Sequence, residues 1–358
     1  MADLKDVYDS KFIESLAYAL GQADVSFNQE AFLMYVSQEN WSSLALKQRI
    51  RQVSGAMHAG MNKPFPQAIP LLLNAAPPFK RLTGLVFPDY VEQYGLLFWK
   101  ESMEALAQLT VYSTSEFAVR PFLLQDQERM LAQMMEWTKS SNEHVRRLAS
   151  EGARPRLPWG QSIPAFKQDP SPLLPLLEPL LKDDSLYVRK SVANHLNDIS
   201  KTHPDILIAL IRQRHGQHPH TDWILRHAAR TLLKQGNPDV LQLFGYPNSA
   251  HVSVSRLSLE KRTIPIGGAL QFSVEIHASQ PVKTRVEYAI DYMKKNGRPS
   301  RKVFHLTDTH LAGGQSKTMV RTQSFRNMTT RTHYAGEHTL SILINGIQKE
   351  SITFYVTD

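Results

Sequence analysis

Three segments of this chain superimpose. "EHVRRLAS", "LYVRKSVANHL" and "WILRHAARTLL" align on Val145, Val188 and Leu225, at offsets of 43 and 37 residues. Periods in this range belong to two-helix HEAT-like units. A single unit leaves its apolar face bare, and only a neighbour of the same kind covers it, so the repeat commits the chain to stacked helix pairs. Loop signals and a second helical pattern, "HPDILIALIRQ" and "NPDVLQLFG", lie between the copies. Each copy sets an arginine directly after its apolar anchor: Arg146, Arg189 and Arg226. For any one of them, packing of the aliphatic stem on the next repeat is a sufficient explanation. For the row as a whole, contact with phosphates along a concave surface is the favoured reading.

Upstream, "SKFIESLAYALGQA" has helical spacing, and "GLLFWKESMEALAQLTVYSTSEFAVRPFLL" reads as one long apolar helix ending near Pro121. After "GYPNSAHVS" the period changes. "ALQFSVEIHA", "TRVEYAIDYM", "RKVFHLTDTH" and "HTLSILINGIQKESITFYV" alternate every second residue, and Asn345-Gly346 is a hairpin signal. About seven short strands in about 100 residues suggest an immunoglobulin-like sandwich. The expected fold is therefore an α-solenoid of HEAT-like repeats over residues 1–249, followed by an immunoglobulin-like β-sandwich over residues 250–358.

Charge is distributed unevenly. Residues 251–358 hold 15 Lys/Arg and 8 Asp/Glu, a net of +7 out of the chain's +8. "KKNGRPSRK" alone brings Lys294, Lys295, Arg298, Arg301 and Lys302 around a Gly/Pro turn. Such asymmetry points to a polyanion, nucleic acid first, with plain solubilisation as the alternative. The absence of cysteine excludes disulfides, thiol catalysis and thiolate zinc, and suits a reducing cytoplasm. "MADLKDVYDSKF" lacks an apolar core, so no signal peptide is expected, and no apolar run reaches the roughly 18 residues of a membrane span. P-loop, HExxH and Rossmann patterns are missing. His215, His218 and His220 share a loop with no interleaved carboxylate, which reads as solvated rather than metal-binding. No metal, nucleotide or other cofactor is expected.

Two acids stand at unusual places. Glu116 lies inside an otherwise apolar stretch, at a helix edge or facing a cleft. Glu151 ends the first repeat helix, followed by Arg154 and by Trp159 behind Pro155 and Pro158, which stiffen the loop. An acid, an indole and several arginines on one concave surface suit holding a polyanion and stabilising a cation formed on it. Each has a plainer explanation. Glu151 can pair with Arg147 four residues earlier, Glu116 can be solvated, and Trp159 can plug the core.

"EHVRRLASEGARPRLPWG" resembles the hallmark of the AlkC-type alkylbase DNA glycosylases, and "YVRKSVANHLNDISKTHPD" is similar to a repeat shared with their AlkD-type relatives. The resemblance spans essentially the whole chain, and the appended immunoglobulin-like module is typical of one AlkC branch. It implies excision of cationic bases from double-stranded DNA (3-methyladenine, 3-methylcytosine, 1-methyladenine) by a cytoplasmic monomer without a base-flipping pocket. AlkD-type proteins carry a tryptophan and an arginine in the helix before "THPD". This chain has Asn194 and Asn197 there, which shifts weight to Glu151 as main electrostatic stabiliser, Glu116 as second carboxylate, and Trp159 against the lesion's sugar and base. Arg146, Arg147, Arg154 and Arg189 then hold flanking phosphates, with Arg226, Asn194 and the basic C-terminal loop as further DNA contacts. Two other readings remain: a non-catalytic DNA-damage binder on the same scaffold, and a HEAT protein–protein adaptor.

Overall fold

The structure, a computed structural model, describes residues 3–37, 41–247, 249–328 and 331–358. Among them are sixteen α-helices, followed by eight strands. The chain forms two compact units, Met1–Thr202 with Gly216–Ala228, and His203–His215 with Ala229–Asp358.

In the first unit the repeat copies become the helices Glu143–Gly152, Leu186–Ser200 and Pro219–Ala228, which pack side by side in order. Their anchors Val145, Val188 and Leu225 are buried. Local chemistry fixes each start. Asn142 accepts the His144 N–H at 2.9 Å, and Ser185 accepts the Tyr187 N–H at 3.2 Å. The first helix ends where Gly152 lies hard against its neighbour: an added Cβ would sit 2.5 Å from Val119 Cγ2. Only glycine permits that approach.

The long helix expected up to Pro121 is two helices, Trp99–Leu109 and Val119–Gln125. The residues between them form turns, because the run Thr110 to Ser115 is β-branched and hydroxylic. Its side chains compete for backbone groups: Ser115 Oγ donates to Leu106 O at 2.9 Å and Ser113 Oγ to Arg81 O at 2.7 Å. Glu116 is thereby placed on a turn, not on a helix.

In the second unit the strands are β1 (Val252–Leu259), β2 (Thr263–Pro265), β3 (Ala269–Ala278), β4 (Val282–Met293), β5 (Pro299–Leu311), β6 (Ser316–Ser324), β7 (Gly336–Ile344) and β8 (Ile347–Thr357). They form a three-stranded sheet, β1-β3-β6, and a five-stranded sheet, β2-β8-β7-β4-β5. Alternate residues turn inward, and Phe272, Tyr288, Phe325 and Phe354 fill the core. Asn345 and Gly346 both have positive φ (47° and 78°), as the predicted β7–β8 hairpin turn requires.

The helices Pro204–Arg214, Arg230–Lys234 and Pro238–Leu243 group with the strands in this unit. Tyr246 donates to Asp308 at 2.8 Å, Lys283 to Phe244 O at 2.6 Å, and Asn345 to Pro247 O at 2.8 Å. Gly236, at the end of the Arg230–Lys234 turn of helix, meets Gly346 backbone to backbone. A Cβ on Gly346 would lie 2.6 Å from the Gly236 Cα.

Candidate active site

A groove of about 550 Å³ opens in the first unit, and Glu116, Arg147, Glu151, Arg154, Trp159 and Tyr187 line it. The carboxylates reach it from different segments. Glu116 comes from the turn between helices and Glu151 from the last turn of Glu143–Gly152. Asp198, behind them, comes from the Leu186–Ser200 helix. All three are buried.

Two guanidiniums tie the acids together. Arg147 Nη2 lies 2.9 Å from Glu116 Oε2 and 3.7 Å from Glu151 Oε1. Arg154 Nη1 lies 2.6 Å from Glu151 Oε1, and its Nε 2.9 Å from Asp198 Oδ2. Hydroxyls complete the shell: Thr114 donates to Glu116 at 2.7 Å and Ser191 to Glu151 at 2.6 Å. Burial alone would lower the arginines' pKa values. For Arg147, the charges of Glu116 and Glu151 outweigh it; for Arg154, those of Glu151 and Asp198 do, and both remain above the ordinary arginine value. Three carboxylates thus meet two site arginines, and Lys201 reaches the far oxygen of Asp198 at 3.1 Å, so the charges of the cluster balance.

The surrounding loop is held from beneath. Arg120, fully buried, donates to Gly152 O at 2.8 Å, to Arg154 O at 3.0 Å and to Gln161 O, so one side chain spans the loop that carries Trp159. Burial, with the repulsion of Arg154, brings its pKa down to about 10. His195, wholly buried, meets Ser150 O at 2.9 Å, and burial depresses its pKa to about 4. Trp159 is 57% exposed, has a left-handed backbone (φ 63°), and its carbonyl accepts from Lys47.

Of the residues expected here, Glu116, Glu151, Arg147, Arg154 and Trp159 come together. Arg154, expected on a phosphate, is instead buried between Glu151 and Asp198. Arg146 and Arg189 are also redirected. Arg146 pairs with Asp183 at 2.7 Å and donates to Ser140 O and Ser141 O; Arg189 donates to Asp183 O and Asp184 O. Each arginine thus caps the carbonyls five and six residues before it, which explains its recurrence in the repeat on packing grounds. Arg226 has partners of its own, and neither it nor Asn194 lines the groove. Asn197 is structural: its amide donates to Ala228 O at 2.7 Å. In the second unit, Lys294, Lys295 and Arg298 cluster at the β4–β5 turn, and Lys294, Lys295 and Lys302 line a basic hollow with Arg331. Arg301 lies on the strand, 3.5 Å from Asp291 and 2.7 Å from Gln348. Asp198 was missed. Its one sequence signal is an acid among the apolar positions of "HLNDIS".

Residues 107–232 match the model described as DNA alkylation repair enzyme, and residues 253–358 the model for the C-terminal Ig-like domain of uncharacterised protein YhaZ. The uncharacterized protein YhaZ of Bacillus subtilis (strain 168) is 52% identical, over 99% of this chain and 100% of its own length. A solved structure of the Pseudomonas fluorescens alkylpurine DNA glycosylase AlkC, bound to DNA containing an abasic site analog, superimposes with a TM-score of 0.96. It is 39% identical, with all of both chains covered.

Proposed function

This chain belongs to the AlkC-type DNA alkylation repair family, in the branch with a C-terminal Ig-like domain, and on that premise we propose that it hydrolyses the N-glycosidic bond of cationic N-alkylated bases in duplex DNA. The candidate substrates are 3-methyladenine, 3-methylcytosine and 1-methyladenine. The observation that carries the reading is the convergence of two buried carboxylates, Glu116 and Glu151, in an open groove with Trp159 on its rim.

Methylation at a ring nitrogen leaves the base positively charged. The C1′–N bond then breaks with its electron pair going to the base, which departs neutral and needs no proton from the protein. The charge moves to the sugar as an oxocarbenium ion. Glu151 and Glu116 stabilise it, and water adds at C1′ while losing its proton to a carboxylate or to solvent. The Trp159 indole adds cation–π attraction of about 0.5–2 kcal/mol. Arg147 and Arg154 hold the carboxylates in place, a positioning task rather than the phosphate contact first assigned to them. The basic β4–β5 turn contributes affinity through backbone phosphates. The protein acts as a cytoplasmic monomer without a cofactor, on a lesion that stays near the base stack.

Incubation with methylated genomic DNA tests this directly. A glycosylase releases 3-methyladenine, a binder retards DNA without release, and an adaptor does neither. Uracil and hypoxanthine remain uncut, because nothing protonates a neutral leaving base. Uracil release, together with strong 2-aminopurine unstacking beside a lesion, would reveal a true base pocket and overturn the open-groove mechanism.

A further inference from the structure

Four non-glycine residues among those described adopt positive φ: Asn62, Arg81, Trp159 and Asn345. The two asparagines are at home there, one ending a helix and the other in a hairpin turn. Arginine and tryptophan are not, and these two line the same groove. Arg81 (φ 56°) is pinned from both sides: its N–H donates to Tyr112 O at 3.1 Å, and its carbonyl accepts from Ser113 Oγ at 2.7 Å. The left-handed backbone is thus locked onto the turn that delivers Glu116. Three lysines or arginines line the groove. Arg147 and Arg154 are committed to buried carboxylates, whereas the exposed Arg81 side chain makes no hydrogen bond or ion pair with any described residue.

We propose that Arg81 is the groove's phosphate clamp. Its guanidinium takes the backbone phosphate adjoining the lesion nucleotide and presents the sugar to Glu116 and Glu151. An unfavourable backbone retained at a functional surface points to use of the side chain. Arginine's planar fork suits two phosphate oxygens, and the arginines beside it are already paired with buried carboxylates. This assignment rests on the glycosylase reading of the groove.

The position supplies its own control. Glycine accepts φ 56° without a Cβ penalty, so Arg81→Gly removes the guanidinium while relieving the backbone. Binding of full-length wild type, R81G and R81K to a duplex with a tetrahydrofuran abasic-site analogue is measured by anisotropy from 50 to 200 mM salt, beside melting curves and 3-methyladenine release. R81G is expected to melt no lower than wild type and to bind about tenfold more weakly. Its slope of log affinity against log salt falls by about one, as for one lost phosphate contact. R81K restores the slope. Unchanged affinity and slope in R81G, or a lowered melting temperature that accounts for its loss, overturns the assignment alone, provided wild type binds and excises. A wild type that does neither overturns the glycosylase reading and this assignment with it.

Discussion

Glu151→Gln isolates charge from shape. Glutamine keeps the side-chain outline and one carbonyl oxygen to accept from Ser191 or Arg154, both now at 2.6 Å from the carboxylate. It removes one of the two carboxylate charges that line the groove. A unit charge about 4 Å from a full cation is worth about 4 kcal/mol at an effective dielectric of about 20. The sugar carries only part of that charge at the transition state, which leaves about 3 kcal/mol, or about 10²-fold in rate. The loss belongs in the chemical step, because the ground-state sugar is uncharged. Single-turnover release of 3-methyladenine, with protein in excess over methylated duplex, reads that step, and anisotropy on the same duplex reads binding. The rate should fall about 10²-fold or more while Kd stays within about twofold of wild type. Near-normal excision by the variant refutes the role of Glu151. A defect found wholly in Kd refutes the electrostatic argument.

Three further outcomes follow from the same network and its surroundings. His195 titrates near 4 when folded against about 6.5 unfolded, so the unfolded chain takes up its proton first; the stabilisation is complete above pH 6.5 and is lost as pH falls toward 4. Urea unfolding should show about 2 kcal/mol less stability from this group at pH 5 than at pH 7, and His195→Gln should flatten that difference, a pH-independent wild type being the contrary result. Arg120→Met leaves three loop carbonyls without their donor and should lower the unfolding free energy by about 3 kcal/mol or more, read by denaturant titration, with a loss under about 1 kcal/mol counting against the brace. Reversing Lys294 and Lys295 to glutamate should weaken binding to undamaged duplex and reduce its salt slope by about two, while saturated single-turnover excision stays intact; an unchanged slope would mean that the turn only solubilises.

The architecture was legible because periodicity is a local property. The three anchors and the switch to alternation after residue 250 could be read from windows of a dozen residues. The break after Leu109 could not, since it depends on Ser113 and Ser115 finding carbonyls in other segments. The site was half legible. Glu116, Glu151 and Trp159 stood out as misfits, but Asp198 resembled any polar residue of a helix until the Leu186–Ser200 helix brought it to Arg154. The arginine row is ambiguous for a related reason. Capping of carbonyls five and six residues back leaves no trace beyond the arginine itself, and that same arginine would serve a phosphate equally well. Arg81 carried no signal at all, because a backbone angle is invisible in one sequence.

The meeting of Gly236 with Gly346 has a consequence for the order in which the protein is made. The hairpin that covers this end of the helical run is 110 residues downstream of it. At about 5–20 residues per second, a ribosome needs roughly 5–20 s to supply that hairpin after Gly236 is joined. Gly236 lacks its partner throughout that interval, and the Phe244 carbonyl and Tyr246 lack theirs until Lys283 and Asp308 follow. The nascent chain therefore carries an unfinished edge until that hairpin emerges, and there a chaperone or a second nascent copy has its opening.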